Sequence, residues 1–330
     1  MSPIIEGKNM KFVLKMVAVA ALFATSSVAM AAYPDKPIRL IIPFAANGAT
    51  DVLVRIIADP LGKELGQPLM VENIGGEGGK TGTFEGINSE PDGYTLVATT
   101  ISSIISNTAY NKNVGYDPLA DFQHISNIAD VPNILVVRKD FPANNFKEFL
   151  EEVKKSKGKY SYASSGQGGI QHFLMEYFKT MTKTNINHIP YRGGGPAVKD
   201  ASLGRVDMIL DQMSSAYSYV QKGDLKAIAL SAPYRSKILP DVPTFKDLGM
   251  EEMNIYTYYG LSGPKGLNPA IAKKISDAMI KVINQPDIKA KIEATGAYPN
   301  PNTPEQFTKM FAKDKAVFEK IVREAKLVAR

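Results

Sequence analysis

The chain has 330 residues, 44% of them hydrophobic and 22% charged, with a formal charge of +6. These values fit a folded globular protein of one large or two ordinary domains, and exclude a disordered chain or a polytopic membrane protein. Cysteine is absent and histidine occurs only as His124, His172 and His188. Thiol nucleophiles, thiolate-bound metals and disulfides are therefore impossible, and a histidine base has few candidates. No metal or cofactor is expected. The Lys and Arg residues are scattered, with no block that would follow a phosphate backbone, so no nucleic-acid partner is expected either.

The amino terminus reads as an export signal. Lys11 and Lys15 lead into the apolar stretch from Met16 to Ala24, and Ala29-Met30-Ala31 forms an A-x-A end, so cleavage is placed after Ala31. The nine residues ahead of Met10 carry Glu6 and sit oddly before the charged region, which makes Met10 an alternative start. Residues 1–31 carry three lysines and one glutamate, leaving the mature chain at +4. An exported, cysteine-free protein of this size points to the periplasm.

Ile38 to Pro43 is a β-branched run of the kind buried in a parallel sheet. Gly48 follows, and Thr50 is read as the cap of a helix with Val52, Leu53, Ile56 and Ile57 on one face, ended or kinked early by Pro60. Pro68 to Glu72 and Tyr94 to Thr99 are the next strands, with a glycine-rich turn and a helix between them. The same grammar returns in Ile134 to Val137 (strand), Phe146 to Lys155 (helix) and Tyr160 to Ala163 (strand). It continues in Phe173 to Met181 (helix), Ile186 to Ile189 (strand), Ala197 to Leu203 (helix), Met208 to Leu210 and Leu225 to Leu230 (strands). Near the carboxy terminus, Asn268-Pro269 opens one helix and the capping box Thr303-Pro304-Glu305-Gln306 another, which is expected to bury Phe307, Met310, Phe311, Val317, Phe318 and Ile321. Such alternation implies parallel sheets covered by helices.

Two tempting motifs fail. Counting back from Gly79-Lys80-Thr81 puts Ile74 where a phosphate loop needs glycine, so Gly75 to Gly79 reads as a turn near a helix start. Asp51, Asp92, Asp207 and Asp211 lie near strand ends without an acid/base pairing that spacing establishes. More informative are four loops at the carboxyl ends of strands: Phe44 to Asp51, Thr99 to Ser103, Ser164 to Gly169 and Tyr191 to Pro196. They are rich in Gly, Ser, Thr or Asn and run into helix starts, where free N–H groups and the helix dipole suit an anion. His172, beside one of them, is equally consistent with a polar cleft position and with ordinary packing.

Six ordered motifs then identify a resemblance: Tyr33 to Phe44 (YPDKPIRLIIPF), Glu72-Asn73 with its glycine turn, Pro91 to Leu96 (PDGYTL), Tyr162 to Gly166 (YASSG), His188 to Tyr191 (HIPY) and Leu239 to Thr244 (LPDVPT). Over essentially the whole mature chain the sequence resembles the Bug family, the periplasmic solute-binding receptors of tripartite tricarboxylate transporters. The resemblance implies an α/β, two-lobed type II periplasmic-binding-protein fold, each lobe a mostly parallel sheet flanked by helices. It divides the chain into residues 32–131 with 250–330 as lobe 1 and 132–249 as lobe 2.

It further implies a small organic carboxylate (a di- or tricarboxylate, an acidic amino acid or an aromatic acid) held between the lobes by backbone amides and bridging waters. Carried onto this chain, the ligand-binding residues are Phe44, Asn47, Gly48, Thr50 and Asp51 from the first loop, with Thr100 and Ser102. Ser164, Ser165, Gly166 and Gln167, with His172, Tyr191 and Asp211, complete the set. Asn47-Gly48-Ala49 replaces the family's usual Gly-Gly-Pro, and Tyr258 stands where a tryptophan is common. Expected partners are the membrane permease subunits, with the receptor itself a monomer and not an enzyme. The alternatives are a ligand sensor for a signalling partner and a secreted hydrolase, the latter opposed by the lack of a nucleophile–histidine motif.

Overall fold

The computed structural model describes residues 33–324 and Leu327, so the expected export signal lies outside the described residues. The architecture is two sheets, each flanked by helices. The first sheet has the order β11-β4-β10-β3-β1-β2, from β1 (Ile38–Ile42), β2 (Leu69–Asn73), β3 (Thr95–Thr100), β4 (Phe122–Val131), β10 (Thr257–Pro264) and β11 (Tyr298–Pro299). The second has the order β7-β6-β8-β5-β9, from β5 (Asn133–Arg138), β6 (Ser161–Ser164), β7 (Asn187–Pro190), β8 (Met208–Gln212) and β9 (Leu225–Ser231). The chain therefore passes between the sheets twice, at Pro132 and in the stretch between Ser231 and Thr257.

The two-lobed α/β class holds, but each sheet is mixed where a mostly parallel one was expected. β1 is parallel to β2 and β3, and β6 to β7 and β8. By contrast β10 is antiparallel to both β3 and β4, and β5 to both β8 and β9. Helical crossovers impose parallel pairing only on the strands they join. β4, β5 and β10 flank the two crossings between sheets and escape that constraint.

Helix α1 (Ala49–Leu65) buries Leu53, Val54, Ile57, Leu61 and Leu65 along one side. Its N-cap is Gly48, in extended conformation and without a side-chain cap bond, so Thr50 lies inside the first turn and does not cap it. Pro60 does not stop the helix either. Leu61, fully buried, and Leu65 hold the last turn against the core, and Gly66 closes it in the left-handed region with φ 85°.

The remaining helices are α2 (Lys80–Ile87), α3 (Asn107–Tyr110), α4 (Phe146–Lys155), α5 (Ile170–Thr182), α6 (Gly194–Ser202), α7 (Met213–Gln221), α8 (Pro269–Ile283), α9 (Pro286–Glu293) and α10 (Pro304–Glu324). The caps at Asn268 and Thr303 form as read from the sequence: Asn268 Oδ1 accepts from Ala270 N, and Thr303 and Gln306 bond reciprocally. On α10, Phe307, Phe311, Phe318 and Ile321 are buried, whereas Val317 is 42% exposed because it falls off the core-facing stripe.

Pro60 removes one helical N–H donor, leaving the Ile56 carbonyl without its helical partner. Pro60→Ala is expected to raise stability by roughly 1–2 kcal/mol, the restored bond outweighing the entropy returned to the unfolded chain. Urea unfolding measures this; an unchanged or lowered midpoint contradicts it.

Candidate ligand-binding cleft

Between the sheets lies a half-open cavity of about 20 Å³, room for a water molecule or two. The first loop contributes Phe44, Gly48, Ala49 and Thr50, the end of β3 Thr100, the helical turn after it Ser102, and β10 Thr257 and Tyr259. From the other side come Ser165, Ile170, Gly194 and Gln212. Four helices begin on this cavity: α1 after Gly48, α5 after Gly169, α6 after Gly193 and α7 after Gln212. None of the four has a side-chain cap hydrogen bond.

An uncapped helix start leaves backbone N–H groups without a helical acceptor and carries the positive end of the dipole. Two of these donors are otherwise engaged: Ile170 N donates to Ser102 Oγ at 2.7 Å and Met213 N to Pro132 O at 2.8 Å. No lysine, arginine or histidine is among the lining residues. The positive potential at this site is that of the backbone.

Of the fourteen residues expected at the site, Phe44, Gly48, Thr50, Thr100, Ser102 and Ser165 reach the wall. Others support it. Asp51 is buried and turned away, its carboxylate accepting from Asn47 N at 2.9 Å, Arg55 Nε at 2.8 Å and Asn73 Nδ2 at 3.0 Å. That fixes the first loop, in which Asn47 is exposed and takes a left-handed φ of 64°. Gln167 is exposed and Gly166 faces the backbone of Gly78. Tyr191 donates to Asp200 Oδ2 at 3.0 Å.

Ser164 is fully buried and points behind the loop, its Oγ 2.6 Å from His188 Nε2 while also accepting from Gly166 N at 3.1 Å. His188 stacks on His172 with centroids 4.4 Å apart, and His172 Nδ1 accepts from Gly168 N at 3.3 Å. Burial pushes His172 down to about 4 and His188 to about 3. Both rings are therefore neutral at ordinary pH. This serine–histidine pair braces the loop and does not line the cavity.

Asp211 lies behind the wall in a chain of side chains. Ser165 N donates to Gln171 Oε1, Gln171 Nε2 donates to Asp211 Oδ1, and Ser215 Oγ donates to Asp211 Oδ2. Gln212 joins through Gln171 Nε2 at 3.3 Å and through Asn133 Oδ1 at 3.3 Å. Burial pushes the Asp211 carboxyl up to about 6, against the hydrogen bonds from Ser215, Gln212 and Gln171 that lower it.

Sequence reasoning missed Ile170, Gln171, Gln212, Thr257 and Tyr259. Gln212 was within reach as the neighbour of Asp211 at a strand end. Thr257 and Tyr259 were not, because β10 is buried along its whole length and its Gly260, Gly263 and Pro264 read as loop.

The sequence matches the tripartite tricarboxylate transporter family receptor over residues 53–327. The chain belongs to that family. It is 31% identical to protein BugT of Bordetella pertussis, over 94% of this chain and 97% of BugT. A solved periplasmic transporter superposes with a TM-score of 0.88 at 42% identity, covering 90% of this chain and 99% of that one. MatC from Rhodopseudomonas palustris, solved with bound malate, gives 0.85 at 27% identity, covering 88% and 100%. Family and fold are those of periplasmic substrate-binding proteins. Among the described residues no helix is long and apolar enough to cross a membrane.

The pKa of Asp211 is higher in the fold than the ordinary 3.8. Its contribution to stability is therefore greatest below about 3.8 and declines as pH rises toward about 6. Asp211→Asn removes that decline, so variant minus wild-type stability should climb between pH 4 and pH 7 by up to about 3 kcal/mol. Urea unfolding at both pH values tests it, and a pH-independent difference contradicts it.

Proposed function

We propose that this receptor captures a small organic carboxylate between its lobes, 32–131 with 250–330 and 132–249, and delivers it to the permease of a tripartite tricarboxylate-type transporter. The observation that carries the reading is the meeting of four uncapped helix starts on one cavity without a lysine or arginine. Each helix end stabilises a nearby anion by roughly 0.3–1 kcal/mol, and up to about 2 when partly buried. Several together suffice for micromolar capture, which needs about 8 kcal/mol, once direct hydrogen bonds are added. The malate bound in MatC supports a dicarboxylate. Residues 1–31 would direct the protein to the periplasm.

At about 20 Å³ the cavity is too small for such an acid, so loading requires the lobes to part. Thr50 and Ser165 supply hydroxyls from opposite lobes, beside the side chains of Thr100, Ser102, Gln212, Thr257 and Tyr259 and the amides of the helix starts.

A thermal-shift panel of mono-, di- and tricarboxylates, amino acids, aromatic acids, sugars and cations tests the class. An acid at 100 times its Kd adds about 2.7 kcal/mol, a few degrees in a chain of this size. A panel in which only sugars or cations shift the transition contradicts the reading. With the best acid, Thr50→Ala and Ser165→Ala should each weaken binding by about 1.5–3 kcal/mol, the worth of one hydrogen bond to a charged group. Glu151→Ala, exposed on α4, should change nothing. Calorimetry that finds all three alike places the ligand elsewhere.

A further inference from the structure

Across the cleft the lobes meet backbone on backbone. A Cβ added at Gly195 would fall on Ala46 O, with Asn47 C at 2.9 Å and Gly48 N at 3.0 Å as its next neighbours. All three atoms belong to the first loop of the opposite lobe. From Gly193 the nearest atom would be Ala45 N at 2.7 Å, and from Gly166 it would be Gly78 N at 2.6 Å. Real Cβ atoms essentially never come within 3.0 Å of a heavy atom outside their own chain neighbours, and backbone cannot swing aside as a side-chain tip does.

Three hydrogen bonds cross the same line. Ala45 N donates to Arg192 O at 3.3 Å, Ile170 N to Ser102 Oγ at 2.7 Å and Ser106 Oγ to Gly168 O at 2.8 Å. None can form unless the lobes approach as closely as the glycines permit.

We propose that Gly195 is a positioning residue that sets how far the lobes close, and thereby how tightly the cleft holds its ligand. The proposal rests on the reading of this cleft as the ligand site. Gly195 lies within helix α6, where backbone freedom is not needed. Its conformation is open to any residue, and a glycine in a helix is a local cost relative to alanine. The absence of a Cβ therefore serves the facing loop and not the helix.

The requirement is graded. A Cβ at Gly48 would stand 3.2 Å from Gly195 N, a distance a few tenths of an ångström of give can absorb. Ligand that reaches only one lobe loses the amides of the other, so incomplete closure acts mainly on the dissociation rate.

The test compares wild type with Gly195→Ala, Gly48→Ala and Lys199→Ala, the last on the exposed face of α6. Amide hydrogen exchange at Ala45 and Ile170, without ligand and with malate, reports the seam directly, because both amides find their acceptors across it. Calorimetry and stopped-flow with malate report affinity and dissociation, and thermal unfolding without ligand reports the fold.

Gly195→Ala should melt no lower than wild type, lose protection at both amides and bind malate about tenfold or more weakly through faster release, equivalent to one lost hydrogen bond to a charged group. Gly48→Ala should fall between it and wild type, and Lys199→Ala should match wild type. Wild-type protection in Gly195→Ala overturns the proposal whatever its affinity, and so does wild-type affinity for malate alongside lost protection. Should malate not bind wild type, the dicarboxylate reading suffers while the exchange data still decide the seam: retained protection in Gly195→Ala overturns it, and lost protection in a stably folded variant supports it.

Discussion

A helix that starts without a side-chain cap leaves backbone donors in want of an acceptor, and here four such starts face one small cavity. The rest of the site follows from that shortage. Glycines hold three of the four cap positions, Gly48, Gly169 and Gly193, so at those starts no cap side chain competes for the amides. Asp51 could have been such a competitor. It is instead turned inward onto Asn47, Arg55 and Asn73, where it stiffens the loop. Ser102 Oγ reaches the start of α5 from the opposite lobe, and Pro132 O takes the first amide of α7.

The proposed binding through backbone amides has a geometric consequence. Amides are short, so both lobes would bring main chain close to the same small ligand, and a Cβ pointing at the facing main chain would hold the two apart. The glycines between Gly48 and Gly195 meet both demands at once. Behind them the polar chain Ser165–Gln171–Asp211–Ser215 and the stacked pair His172–His188 fix the second loop without presenting a charge to the cavity. An arginine clamp would bind an anion more strongly, but its charge would remain buried and unpaired whenever the cleft closed empty.

Much of this was legible in the sequence. The strand–loop–helix alternation and the caps at Asn268 and Thr303 are local signals, and they formed where the residue types require them. The four glycine- and serine-rich loops did converge. What escaped was decided by tertiary contact. β4 carries Gln123, His124, Ser126 and Asn127, polar residues that give no strand signal, yet it runs through the first sheet with partners such as Ser262 and Pro118 satisfying His124. Thr50 has a capping side chain, yet Gly48 holds the cap, since sequence shows which residues can cap but not where the loop turns into the helix. The turn Gly75 to Gly79 does lead into a helix start, with Gly79 the N-cap of α2, and its Gly78 also abuts Gln167 of the other lobe, a contact that only folding creates.

The central claim is that backbone amides at helix starts hold the ligand. Amide-resolved NMR of ¹⁵N-labelled protein during titration with the acid that stabilises it most tests this directly. The account predicts large downfield proton shifts at the amides of Ala49, Thr50 and Gly194, with the lysine and arginine side-chain signals unmoved. Shifts concentrated on lysine or arginine side chains, with those three amides unchanged at saturation, would contradict it.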